Sequence, residues 1–131
     1  MIEVAAAIIH NEEGQILIAR RRQGKSQEGL WEFPGGKIEA GESVVHCLQR
    51  ELQEEMGIDI LPYESFGMNV HNYGSIQIKL LAWKAKYLGG LIELVDHDEY
   101  SWVFPADLGQ FIFAPADIPF VEQLLMKSKE C

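Results

Sequence analysis

Glu51, Glu54 and Glu55 crowd the run RELQEEMGI, just before Gly57. The residues around them set a helical phase. Val45, Leu48, Leu52 and Met56 recur at helical spacing, Ser43 is a plausible N-cap, and Gly57 is a stop, so a helix is predicted over 43–56. At about 100° per residue the three glutamates fall within about 100° of one another, beside the apolar stripe. Such a helix is poor by itself. Like charges at i,i+4 repel by about 0.2–0.5 kcal/mol. Each carboxylate near the C-terminus loses roughly a further 0.3–1 kcal/mol against the helix dipole. Arg50 offsets part of this through Glu54 at i+4, in the weaker orientation. A divalent cation would reverse the sign of every one of these terms, and hard oxygen ligands suit Mg²⁺ or Mn²⁺. The bland alternative is a solvated acidic face. Glu42 and the Gly35-Gly36 turn just ahead of the helix weigh against it, because backbone N–H groups and carboxylates can converge there.

Read in full, the stretch is Gly36, five residues, Glu42, seven residues, Arg50-Glu51-Leu52, one residue, Glu54-Glu55, one residue, Gly57-Ile58. It resembles the Nudix box at every defined position. The resemblance implies hydrolysis of a nucleoside diphosphate linked to a further moiety. It also implies an α/β fold: an α/β/α sandwich with a mixed sheet and a catalytic loop–helix–loop that binds metal. Glu51, Glu54 and Glu55 would then be metal ligands, with Gly36 giving a carbonyl or tight turn at the metal. Arg50 would orient a glutamate and Glu42 would support the site. Catalysis would rest on Glu54, Glu51, Arg50 and Asp96.

LWEFPGGKIEAGE and FAPADIP extend the likeness from about residue 3 to about residue 125. They resemble the MutT-type branch, and particularly its CTP pyrophosphohydrolase and 8-oxo-dGTP diphosphatase-like members. That branch converts a nucleoside triphosphate to monophosphate and pyrophosphate. By the same resemblance Arg21 and Lys37 are candidates for phosphate contact; the alternative for RRR at 20–22 is a solvated strand end. Asp96 lies where the branch usually has a glutamate, and Asp98 or Glu99 could replace it, so the general base stays open. Asp117 lies where the branch binds the base, yet Asp before IP is also an ordinary N-cap. Phe33, Phe113 and Trp31 could wall the base or simply pack. His10, His46, His71 and His97 read as structural or exposed.

The elements that must position these residues are legible in outline. EVAAAII (3–9) reads as a buried strand, NEEG as a turn, and QILIARR as the second strand of a hairpin. QGKSQEG is a polar loop, LWEF a short extended piece, and Gly35-Gly36 a turn. Residues 58–72 look extended, 75–87 read as a strand, LGG as a turn and EYSWVF as a short strand. DIPFVEQLLMKSK reads as a helix with Asp117 as N-cap and Pro119 in its first turn.

The whole chain narrows the function classes. Its 131 residues make one domain the simplest reading. A formal net charge of −9 argues against a nucleic-acid partner. No apolar run approaches a membrane span, so no membrane partner is expected. Cys47 and Cys131 form neither a disulfide framework nor zinc spacing, and a cytoplasmic setting is the natural reading. Oligomeric state is not legible. Three functions compete: a nucleoside triphosphate pyrophosphohydrolase; the same chemistry on ADP-ribose, NADH or a dinucleoside polyphosphate; and a non-catalytic nucleotide sensor. An intact box disfavours the last.

Overall fold

The computed structural model describes residues 1–130. Cys131 lies outside the described residues. The chain runs β1 (Ile2–His10), β2 (Ile16–Arg21), β3 (Trp31–Glu32), β4 (Gly35–Lys37), α1 (Val44–Met56), β5 (Asp59–Tyr73), β6 (Ile76–Gly89), β7 (His97–Val103) and α2 (Ile118–Ser128). Short 3₁₀ turns occupy Pro105–Gln110 and Pro115–Asp117.

The sheet is mixed. Its main path is β3-β2-β1-β6-β5, with β4 also pairing β1 and β7 also pairing β2. Among the described residues β1 and β6 pair in parallel and the other strand pairings are antiparallel, with one isolated parallel bridge from Trp31 to Phe113. Strand β1 shows why both sheet faces are covered. Ala6 and Ile8 point into one core with Trp31, Phe33, Phe120 and Leu124, on the α2 side. Ala5, Ala7 and Ile9 point into the other, with Cys47, Leu48, Leu52 and Met56 of α1. A strand buried on both sides reads as an unbroken apolar run, as this one does. The result is the expected α/β/α sandwich. No helix among the described residues is long and apolar enough to cross a membrane.

Three local expectations need correction. Gly35-Gly36 is not a turn but the start of β4, paired with Ala6 and Ala5 of β1. The apolar stripe of α1 uses Cys47 in place of Val45, which is only half-buried. β7 begins two residues before the expected strand and ends before Phe104, where Pro105 opens a 3₁₀ turn.

Candidate active site

Both ends of α1 are pinned. Ser43 Oγ accepts from the His46 N–H at 3.1 Å. At the other end Gly57 adopts φ 68° and donates to the Gln53 and Leu52 carbonyls. These caps fix the azimuth of the glutamates. They do not share one solvated face. Glu54 is 59% exposed, Glu51 is 15% exposed, and Glu55 turns into the protein.

Arg50 is the hub of this end. It donates to Glu42 through Nε at 2.7 Å and Nη2 at 2.9 Å, a bidentate fork. Nη1 reaches Glu51 at 3.0 Å and Glu54 at 3.3 Å, and Nη2 also donates to the Lys37 carbonyl at 3.2 Å. That fork, aided by the Glu39 N–H, holds the Glu42 carboxyl down at about 2. Arg50 thereby ties the loop before α1 to its last turns.

Gly36 lies directly beneath Glu51. A Cβ there would sit 2.3–2.6 Å from the Glu51 carboxylate atoms. Glu55 is 8% exposed, and its Oε2 has no hydrogen-bond partner. Burial, then the Glu51 charge and a hydrogen bond with Asp96, push the Glu55 carboxyl up to about 9. Burial likewise raises Glu51. Burial also acts to raise Asp96, but Lys25 (3.3 Å away) and Glu55 outweigh it, and Asp96 is lowered. Of the two, Glu55 is shifted toward keeping its proton and Asp96 toward giving its proton up. Asp98 and Glu99 are drawn off to Arg20 at 2.8 and 3.3 Å.

Among the described residues no group of three or more His, Cys, Asp or Glu side chains is arranged to hold a metal ion. The donor set nevertheless fits a hard divalent cation. It offers carboxylate oxygens only, one of them buried and orphaned, above a glycine whose missing side chain leaves room for Glu51.

The raised Glu55 carboxyl has a measurable consequence. Between the ordinary value of 4.5 and about 9, folded Glu55 keeps a proton that the unfolded chain releases. Its contribution to stability is full below 4.5 and is lost as pH rises through about 9. Without added metal, thermal stability should therefore fall from pH 5 to pH 9, with Glu55 supplying up to about 1.4 kcal/mol per pH unit. Glu55→Gln should lower the slope by that share; buried Asp117 contributes in the same direction. Thermal melts of both proteins across the range check this, and an unchanged slope in the variant would contradict it.

A cleft of about 340 Å³ is lined by Arg21, Glu32, Tyr73, Ile78 and Asp117 among others. A smaller cavity of about 100 Å³ shares Arg21, Glu32 and Asp117 and continues to Phe33, Gly35 and Gly36. Arg21 is braced in the wall: Nε donates to the Ser26 carbonyl at 3.0 Å, and Nη1 lies 3.5 Å from Glu32. Lys37 is exposed and lines neither cavity.

Asp117 precedes α2 but does not cap it with its side chain. Its Oδ1 accepts from the Phe33 N–H at 3.2 Å instead. The reason is its αR backbone and burial, which turn the carboxyl inward, away from the helix N–H groups. Burial, aided by the Glu32 charge, raises it well above an ordinary carboxyl. Phe33 reaches the smaller cavity, but Trp31 and Phe113 do not wall the cleft. Both sit in the α2-side core, Trp31 edge-on to Phe111 and Phe113 against Phe33.

The sequence reading passed over Glu32 and took His97 as structural or exposed. His97 is fully buried and its Nε2 lies 2.8 Å from Glu32 Oε2. The signal for Glu32 was a lone acid between two aromatic residues in WEF.

The NUDIX domain profile matches residues 2–124. The chain belongs to the NUDIX family. It is 40% identical to the CTP pyrophosphohydrolase of Escherichia coli over 125 residues, covering 95% of this chain and 92% of that protein. It is 35% identical to the 8-oxo-dGTP diphosphatase of Haemophilus influenzae over 125 residues, again covering 95% and 92%. The crystal structure of a MutT protein from Methanosarcina mazei superposes with a TM-score of 0.87 at 28% identity, covering 98% of this chain and 96% of that one. The chain is thus a NUDIX hydrolase, of a family that generally works with a divalent metal.

Proposed function

We propose that this NUDIX hydrolase converts a nucleoside triphosphate to its monophosphate and pyrophosphate, with Mg²⁺ or Mn²⁺ held by Glu51, Glu54 and Glu55. The continuity of the cleft carries this reading. The cavity that begins at Asp117 and Glu32 ends at Gly36, beneath Glu51. One nucleotide can therefore place its base at Asp117 and its phosphates at the carboxylates.

Each part has a physical role. When bound, a divalent cation supplies positive charge against the phosphate oxygens and acidifies water. Arg21, already braced by Ser26 and Glu32, offers a fixed guanidinium to phosphate oxygens. Arg50 keeps Glu51 and Glu54 at one end of the helix. Asp96 lies beside Glu55 and is not tied to Arg20, so it is the proton acceptor proposed among the three acids of its loop. Asp117 holds its proton to higher pH than an ordinary carboxyl, and where it is protonated it donates as well as accepts. That pairing suits a base edge with an N–H beside an acceptor, as in cytosine or an oxidised guanine. Those are the bases in the names of the two relatives.

The test is product analysis over natural, oxidised and methylated nucleoside triphosphates, with and without Mg²⁺. Monophosphate and pyrophosphate should appear in a 1:1 ratio, only with metal. Inorganic phosphate as the first product, or no turnover across the panel, would reject the proposal.

A further inference from the structure

The pairing of β2 with β7 is interrupted between Arg20 and Arg21. Arg20 faces Glu99, so an unbroken antiparallel ladder would set Asp98 opposite Arg21; the irregularity sets His97 there. Because side chains alternate along a strand, this one-residue shift decides which of the two turns inward. Asp98 goes out to Arg20, and His97 goes in to Glu32.

The inward histidine is not explained by packing. It is fully buried and its Nδ1 has no partner. A leucine would occupy the space without an orphaned nitrogen. What histidine adds is one hydrogen bond: Nε2 to Glu32 Oε2 at 2.8 Å. A carboxylate only accepts, so Nε2 is the donor in this contact. Arg21 Nη1 approaches the same Oε2 at 3.5 Å. Both contacts fall on one oxygen, and Oε1 has none among the described residues. Glu32 itself lines both parts of the cleft.

We propose that His97, seated by the β-bulge, is a positioning residue for nucleotide selection: it fixes Glu32 so that Oε1 accepts from an exocyclic amino group of the base. The inference rests on the nucleotide reading of the cleft and deepens it, favouring amino-bearing bases over those with a carbonyl at the same place. CTP and UTP form the matched pair, since they differ there and share sugar and phosphates.

Calorimetric titration of α,β-methylene CTP and α,β-methylene UTP in the presence of Mg²⁺ reads the effect without turnover. The wild-type protein should prefer the CTP analogue. His97→Leu should weaken that analogue about tenfold, the loss of one hydrogen bond to a charged group, and leave the UTP analogue within about twofold. His97→Gln, which can still reach Glu32 with an N–H, should recover most of the preference. In a Glu32→Ala background, His97→Leu should add nothing. If the leucine variant does not fold, His97→Asn, too short to reach, replaces it in the comparison with His97→Gln. Equal weakening of both analogues, no recovery with glutamine, or no preference in the wild type would overturn the inference. Selective binding without hydrolysis of CTP would count against the enzymatic reading alone and leave the role of His97 standing.

Discussion

Glu54→Gln should lower kcat by about 10²–10⁴-fold, the range for a lost acid–base or charge-bearing group, while the fold survives. The two halves of that expectation have separate grounds. Glu54 is 59% exposed and its recorded partner is Arg50, an i,i+4 pair. Such surface pairs are worth about 0.3–0.5 kcal/mol, so the amide costs little stability. The amide is uncharged and binds a divalent cation far less well than a carboxylate. Steady-state kinetics and a thermal melt on one preparation check both halves. A variant with near-full turnover would remove Glu54 from the metal site.

Two adjacent glycines should respond in opposite ways to the same added methyl. At Gly35 a Cβ would lie 1.9 Å from the Ala5 carbonyl oxygen and 2.8 Å from its carbon. Those are backbone atoms of a central strand and cannot give way, so Gly35→Ala should cost several kcal/mol or prevent folding. At Gly36 the obstructing atoms are the end of the Glu51 side chain, which can swing aside. Gly36→Ala should therefore fold with a small loss of stability. Its carboxylate, however, is displaced, and a misplacement of about 1 Å costs on the order of 10²-fold in rate. Denaturation and activity measured on both variants separate the cases. An active Gly36→Ala protein would mean that the seat of Glu51 on this glycine has no part in catalysis.

What could be read from the sequence was local. The α1 caps, Ser43 and Gly57, act within four residues, and both the helix and its ends follow from them. The unbroken apolar run of β1 announces a strand covered on both faces. What could not be read depends on distant partners. Gly35 and Gly36 are turn formers by type, yet they become strand because β1 offers them a ladder some 30 positions away. Asp117 has the position of an N-cap, but its carboxyl is claimed by Phe33, 84 residues earlier. The Glu32–His97 contact spans 65 residues and depends on a bulge that no local pattern encodes. The cluster itself was legible in residue type and spacing. The inward turn of Glu55 and its raised carboxyl were not, because both come from burial.

Titration calorimetry with Mg²⁺ and Mn²⁺, in the presence of a non-hydrolysable triphosphate, bears on the carboxylate cluster most directly. In buffers of differing ionisation heat it should show divalent uptake with release of a proton near neutral pH, because Glu55 must give up the one it holds. Glu55→Gln should abolish the proton release. No uptake of either ion by the nucleotide-bound protein would contradict a metal site at Glu51, Glu54 and Glu55.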